Sequence, residues 1–154
     1  MSDIEHRLSE LGYSLPTAPP PVGYYVPVLR TGNLIVTSGQ LPFVGKELAF
    51  KGKVGGEVTI EQGQHAARLC LLNALAQVKA QAGSLERISK VVRLEGYVHS
   101  APGFDQHPVV LNAASELLVE ALGEAGKHTR VALGINEMPL HAPVQIALWV
   151  ELAE

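Results

Sequence analysis

Two stretches near the C-terminus decide the fold: His128-Thr129-Arg130-Val131-Ala132-Leu133-Gly134-Ile135 and, after a short break, Pro143-Val144-Gln145-Ile146-Ala147-Leu148-Trp149-Val150-Glu151. Both alternate residue by residue, which is the period of a β-strand whose two faces meet different surroundings. The pattern predicts two strands of a terminal hairpin. One face is large or branched and apolar, and we expect it to lie on the core: Val131, Leu133, Ile135, Val144, Ile146, Leu148 and Val150.

The second face of these strands has an unusual composition. It carries small, aromatic and amide side chains with a guanidinium at one end: Arg130, Ala132, Gly134, Gln145, Ala147, Trp149 and Glu151. A sheet face in contact with water is rich in Lys, Glu, Thr and Ser instead. We therefore expect something other than water to cover this face.

Length and composition limit the class of protein. The 154 residues fit one domain over 1–154, in which 1–21 form an N-terminal helix and a proline-rich arm. Charged residues make up only 18%, which suggests that extra surface is buried in an oligomer. The net charge of −3 provides no basic surface for nucleic acid. With one cysteine and no apolar signal or membrane segment in the sequence, we expect a cytoplasmic protein.

Local signals divide the rest of the chain into strands and helices. A capping box begins a short helix over residues 2–11, and a second capping box begins the longest helix, which runs from Thr59 to Gly83. A third helix begins near Pro108 and ends at Gly123. The predicted strands are 24–30 and 33–38, joined as a hairpin, a short strand over 48–54, and 89–99.

This order of elements predicts an α+β protein, a two-layer sandwich of a mixed sheet with two helices on one face. Two helices cannot cover both faces of the sheet. Burying the uncovered face against copies of the same chain is the economical solution, and closed cyclic assemblies are its usual form.

Several kinds of chemistry are unlikely on residue spacing alone, so no metal and no cofactor is expected. The six histidines lack the spacing of a metal site and favour surface or capping roles. Cys70 lies on the apolar stripe of the longest helix and favours a buried structural thiol over a nucleophile. Ser38 lacks the surroundings of a nucleophile elbow, and the glycines around Lys53 lack the order of a phosphate loop.

Arg130 is the most informative single residue. It could begin a strand and pair with a glutamate, which is the common role of an arginine at a strand end. However, it heads the face that carries Ala132 and Gly134, whose small size would leave room beside a planar fork of donors suited to a carboxylate. We therefore predict a carboxylate clamp in an interface cleft.

A family resemblance supports this interpretation. The chain resembles the YjgF/RidA family, the reactive intermediate deaminases also called L-PSP endoribonucleases, and within it the longer branch of about 150 residues. The similarity rests on Gly23-Tyr24-Tyr25-Val26, on Gly32-Asn33-Leu34-Ile35-Val36-Thr37-Ser38-Gly39-Gln40-Leu41-Pro42, on Asn112, and on Arg130 with Pro139 nine residues later. It implies a chorismate-mutase-like fold, a homotrimer with three clefts between subunits, and hydrolysis of 2-imino or enamino acids to 2-oxo acids and ammonia.

The resemblance also implies which residues form the site. Arg130 would hold the substrate carboxylate, and Tyr25, Ser38 and Asn112 would line or support the cleft. Two positions depart from the family pattern: the usual glutamate is Gln145, and Ala132 replaces a Cys or Thr. A glutamine cannot act as a general base, so Gln145 and Ser38 could only place water or polarise the imine. This departure leaves a second hypothesis open, a non-catalytic trimer that binds small carboxylates, with endoribonuclease activity a distant third.

Overall fold

The structure is a computed structural model that describes residues 2–154. It contains three α-helices, which are α1 (Asp3–Glu10), α2 (Ile60–Ala82) and α3 (His107–Leu122). Its seven strands are β1 (Val28–Thr31), β2 (Leu34–Thr37), β3 (Phe43–Val44), β4 (Glu47–Leu48), β5 (Ile88–His99), β6 (Thr129–Ile135) and β7 (Val144–Leu152). Short 3₁₀ turns occupy Leu85–Arg87, Gly123–Gly126 and Pro139–His141. Within the described range, no helix is long and apolar enough to cross a membrane.

The helices begin and end where their capping signals predicted. The Ser2 and Thr59 side chains each accept a hydrogen bond from the backbone of the third helical residue, and Glu5 and Gln62 complete the two capping boxes. Gly83 ends α2 with a φ of 90°, a value that costs glycine little. These boundaries are set by residues within one turn of the helix end, so the sequence alone could predict them.

Five strands form one mixed sheet in the order β1-β2-β7-β5-β6, and β3 pairs with β4 separately. All neighbours in the large sheet are antiparallel except β5 and β6, which run parallel. Helices α2 and α3 lie together on one face, where they bury a continuous apolar core that includes Leu71, Leu75, Leu94, Leu111, Leu118, Ile146 and Leu148. The predicted α+β sandwich with two helices on one face of a mixed sheet is therefore confirmed.

The terminal hairpin was a wrong prediction. β5 lies between β6 and β7, so the two C-terminal strands do not pair with each other. Leu94 of β5 is the neighbour of both Arg130 and Leu148, one in each adjacent strand. The 3₁₀ turn at Pro139–His141 and the segment around it carry the chain past β5. Alternation along a strand does not indicate which strand is its neighbour.

The faces of β6 are also the reverse of those predicted. Arg130, Ala132 and Gly134 lie on the helix side, in line with the buried Leu94 and Val98 of β5. The remaining side chains of β6 lie on the opposite face, and Leu133 is 54% exposed. The physical reason is the proximity of α3. A Cβ on Gly134 would lie 2.6 Å from the Ser100 hydroxyl and would collide with His107, so only a small residue fits there.

Two smaller predictions also need correction. The strand predicted over 48–54 is limited to Glu47–Leu48, and Val54 makes only isolated bridges, to Val58 and Ser100. The strand predicted over 24–30 begins at Val28, because Pro27 precedes it and proline cannot donate to a ladder. β7 follows its prediction: its residues Val144, Ile146, Leu148 and Val150 are all fully buried.

A candidate active site in two parts

Arg130 lies on the edge strand β6 and reaches towards α3. Its Nη1 donates to the Asn112 side-chain oxygen at 2.9 Å and to the Ser115 hydroxyl at 3.1 Å. Asn112 and Ser115 are three residues apart on α3, so they share one face of that helix. Ser115 in turn lies 2.9 Å from Nε2 of His128. We call Asn112, Ser115, His128, Arg130 and Ala132 the arginine corner.

The charge of Arg130 is not neutralised within the chain. Among residues 2–154, no carboxylate forms an ion pair with its guanidinium, and the acceptors that hold it are neutral oxygens. The side chain is half-buried, so the charge is neither fully solvated nor paired. A held but unpaired guanidinium is suited to an incoming carboxylate. The alternative of an internal ion pair with a glutamate is not found.

The small residues of β6 have a different role from the one predicted. The expected space beside Ala132 and Gly134 is filled by α3 and by the segment that leads into it. Ala132 packs against the core rather than lining an open pocket.

Gln145, Ser38 and Tyr25 lie together at a second location, which we call the glutamine corner. The Gln145 side chain packs directly on Gly39, where any Cβ would collide with it, and its amide lies 3.9 Å from the sulfur of Met138. The Ser38 hydroxyl donates to the Val26 carbonyl at 2.7 Å. That bond fixes the segment that carries Tyr25, which is 47% exposed beside a shallow cavity lined in part by Gly39.

Two buried amides of α2 support the glutamine corner. Asn73 donates to the carbonyls of Leu41 and Phe43 at 2.9 and 3.1 Å, and Gln77 donates to the Pro19 carbonyl at 2.6 Å. Both side chains are only 2% exposed. They hold the loop after β2 and the proline-rich arm against the helix. Neither role was predicted from the sequence, although polar residues inside an apolar helical stripe indicate a fixed hydrogen-bond partner.

The two corners do not meet within one chain. Gln145 is the neighbour of Tyr97 on β5, and Tyr97 is the neighbour of Leu133 on β6. Gln145 thus lies two strands from β6, roughly 10 Å across the sheet, and Arg130 lies a further three residues, or roughly 10 Å, along it. Their side chains also lie on opposite faces of the sheet. A single site that contains both would need two copies of the chain.

The surface role predicted for the histidines fits His6, His65 and His141, which are exposed, but not every histidine. His99 is completely buried, with both ring nitrogens lacking a hydrogen-bond partner, so the surface role is wrong for it. His128 belongs to the arginine corner. Within residues 2–154, no group of three His, Cys, Asp or Glu side chains is arranged to hold a metal ion.

Comparison with known proteins identifies the family of this chain. The family described as "YjgF/chorismate mutase-like, putative endoribonuclease" matches residues 5–152. The chain belongs to the YjgF family. One relative of this chain is Protein TCP17 of Trypanosoma cruzi. The two sequences are 38% identical over 150 residues, which cover 97% of this chain and 94% of that protein.

Two solved structures are similar to this YjgF protein over nearly their whole length. One is a protein of unknown function from Agrobacterium tumefaciens, with 44% identity, a TM-score of 0.91, and coverage of 97% of this chain and 92% of that one. The other carries the description "putative endoribonuclease" and comes from Shewanella oneidensis, with 38% identity, a TM-score of 0.94, and coverage of 98% of this chain and 100% of that one. The predicted family and its chorismate-mutase-like fold are confirmed.

Proposed function

We propose that this protein hydrolyses 2-imino and enamino acids to 2-oxo acids and ammonia in a cleft between copies of the chain. The observation that carries the proposal is the guanidinium of Arg130, which Asn112 and Ser115 hold in place and which no carboxylate of residues 2–154 neutralises. A small acid bound there would be fixed at one end, with its C=N carbon a short distance away. Holding a reactant in this way accelerates its reaction without any covalent chemistry by the protein.

The reaction itself requires little from the protein. The oxygen of water adds to the imine carbon, both hydrogens of that water pass to the nitrogen, and the C–N bond breaks to give the 2-oxo acid and ammonia. Gln145 cannot accept the proton, but its amide can orient the attacking water. A base contributes about a hundredfold or more in rate, so we expect turnover slower than in a relative with a glutamate at this position.

A trimer would bring the two corners together. The family resemblance implies three clefts between subunits, and the distance between Arg130 and Gln145 within one chain favours such an arrangement. The exposed side chains of Leu29 and Leu133, at 58% and 54%, lie near the two edges of the sheet where a neighbouring copy would contact it. The predicted substrate, a small carboxylate, and the homotrimer are parts of the same proposal.

The direct test is hydrolysis of 2-iminobutyrate, generated from threonine by a pyridoxal-phosphate dehydratase. We expect Arg130→Ala to lower the enzyme-dependent rate about a hundredfold, because the substrate loses its charge-assisted anchor. Arg30→Ala is the matched control, since the Arg30 side chain makes only a surface hydrogen bond to the Gly32 carbonyl. Equal turnover by the wild type and Arg130→Ala would reject the proposal.

The second candidate function is carboxylate binding without catalysis. The observation in its favour is Gln145, an amide where the family resemblance implies a glutamate, packed on Gly39. Under this alternative the wild type binds 2-oxobutyrate but does not hydrolyse the imine, and Gln145→Glu gains activity. Substantial wild-type hydrolysis would remove the alternative.

RNA cleavage, suggested by the family's description, has little physical support. The chain carries 12 Lys and Arg against 15 Asp and Glu, and binding to phosphates requires clustered positive charge. We expect no cleavage of single-stranded RNA at any salt concentration. If the wild type cleaved RNA and Arg130→Ala did not, RNA cleavage would again be a candidate function.

A further inference from the structure

A chain of hydrogen bonds continues from Arg130 into the protein. Arg130 Nη1 donates to the Ser115 hydroxyl, Ser115 lies 2.9 Å from Nε2 of His128, and Nδ1 of His128 lies 2.6 Å from the Gly126 carbonyl. Ser115, His128 and Arg130 are all half-buried, so these bonds are partly shielded from water. No role was predicted from the sequence for Ser115, and His128 was expected only in the surface or capping role given to all six histidines.

The chemistry of the two ends fixes the direction of the first and last bonds. A guanidinium can only donate and a carbonyl can only accept. Ser115 must therefore accept from Arg130, and Nδ1 of His128 must carry the proton that it gives to Gly126. The hydrogen of the Ser115 hydroxyl is then free to be donated to Nε2 of a neutral His128. Each donor in the chain has one acceptor, and the ring of His128 is held as a single tautomer.

The same bonds leave a defined part of Arg130 for a ligand. Nη1 carries two hydrogens and has two acceptors within the chain, the side-chain oxygens of Asn112 and Ser115. Among residues 2–154, no acceptor for Nε or Nη2 is present. Nε and Nη2 lie side by side on one edge of the planar group, which is the edge that binds a carboxylate through two parallel bonds.

We propose that Ser115 and His128 are positioning residues, which hold Arg130 by Nη1 so that its Nε–Nη2 edge is presented to the substrate carboxylate. This inference rests on the proposed function for the identity of the ligand. Ser115 and His128 would not touch the substrate. Without them the guanidinium would keep its charge and its bond to Asn112 but could rotate, and the bidentate edge would be lost for part of the time.

The test measures binding and kinetics on the intact protein. We expect Ser115→Ala to raise the Kd for 2-oxobutyrate about tenfold, because it removes a hydrogen bond to the charged guanidinium. We expect His128→Phe to raise it by a similar factor, because the Ser115 hydroxyl loses the partner that orients it towards Arg130. Ser115→Thr, which keeps the hydroxyl, and His128→Gln, which keeps an acceptor, should stay within about threefold of the wild type. With 2-iminobutyrate the change should appear in KM rather than in kcat, since the clamp holds substrate and transition state alike. Ser9→Ala on the exposed side of α1 is the control.

Failure of this inference can be distinguished from failure of the proposed function. If Arg130→Ala abolishes binding while Ser115→Ala and His128→Phe bind as the wild type does, the positioning role is wrong and the clamp stands. If the wild type does not bind 2-oxobutyrate, the proposed function fails. In that case ¹⁵N NMR of the side chains still tests whether Ser115 and His128 position Arg130. A sharp Arg130 Nε–H signal that broadens in Ser115→Ala, with His128 protonated on Nδ1, supports the positioning role. A mobile Arg130 or a mixture of His128 tautomers in the wild type overturns it.

Discussion

Burial controls the reactivity of the Cys70 thiol. The side chain has no exposed surface, and its thiol donates to the Val144 carbonyl at 3.4 Å. Burial raises the pKa of this thiol well above its ordinary value of 9.0. We expect the folded protein to react with a thiol reagent at under about one-hundredth of the rate of the unfolded chain, because the thiolate is the reactive form. Equal rates in the two states would contradict the burial.

The same shift predicts a pH dependence of stability. The pKa of Cys70 is higher in the folded state than in the unfolded state. The contribution of this thiol to stability is therefore complete when the pH is below the pKa of the unfolded state, and it is lost as the pH rises towards the pKa of the folded state. We expect the free energy of unfolding of the wild type to fall more steeply above about pH 9 than that of Cys70→Ala. Urea unfolding at pH 7 and pH 10 checks this, and parallel pH profiles would count against it.

The sequence indicated the chemical role of Arg130 but not the residues to which it is hydrogen-bonded. Arg130 stood out because an arginine at the head of a face of small residues is unusual, and its charge is indeed unpaired. Its hydrogen-bond partners could not be assigned, because they depend on α3 crossing β6. One signal was available: Asn112 and Ser115 are spaced to share a helix face. Nothing local indicated that the strand of Arg130 would lie beneath that helix.

At the scale of elements, α1 depends on contacts outside itself. Its eight residues are too few for a stable isolated helix. Glu5 completes the capping box and accepts from Lys79 of α2 at 2.7 Å, and the hydrogen bond from Lys79 lowers the pKa of Glu5. We expect Glu5→Gln to cost about 1 kcal/mol at pH 7, since it removes an ion pair and weakens the cap.

The pH dependence of the Glu5 contribution follows from the direction of its shift. The pKa is depressed in the folded state, so the contribution is present above the ordinary value of 4.5 and disappears as the pH falls through the folded value. The difference in unfolding free energy between the wild type and Glu5→Gln should therefore shrink progressively as the pH falls below 4.5. Glu10→Gln, at an exposed glutamate beside His6, is the control and should have little effect throughout this range of pH.

Elements with local start and end signals were predicted well, and those positioned by distant pairing were not. The capping boxes of α1 and α2 act within one turn. β6, in contrast, pairs in parallel with β5, some thirty residues earlier, across the whole of α3. The alternation of β6 predicted a strand, as observed, but the face with the larger side chains is not the face that lies on the core. The edge strand places its small residues inwards because α3 comes too close for larger ones.

At the scale of the whole molecule, the open face of the sheet predicts self-association. Trp149 donates to Glu95 at 2.7 Å, and the Tyr97 hydroxyl donates to the same carboxylate at 3.0 Å, so polar groups on this face are satisfied beside exposed Leu133. We expect light scattering to give three times the mass of one chain. Leu133→Glu should lower that mass and the deaminase rate together, because a buried unpaired charge opposes the contact. Dissociation with full activity would contradict a shared site.

The separation of the two corners leads to a sharper test of the shared site. Arg130→Ala lacks the clamp, and Gly39→Trp would displace Gln145 while leaving Arg130 intact. If each site takes Arg130 from one chain and Gln145 from its neighbour, refolding the two inactive variants together should restore activity. In a ring assembled at random from equal amounts, about one site in four has both intact parts, so about a quarter of the wild-type rate is expected. A double variant that carries both changes on one chain, mixed with either single variant, should restore nothing. If mixed oligomers of the two single variants form but show no activity, the prediction of a site shared between two chains is wrong.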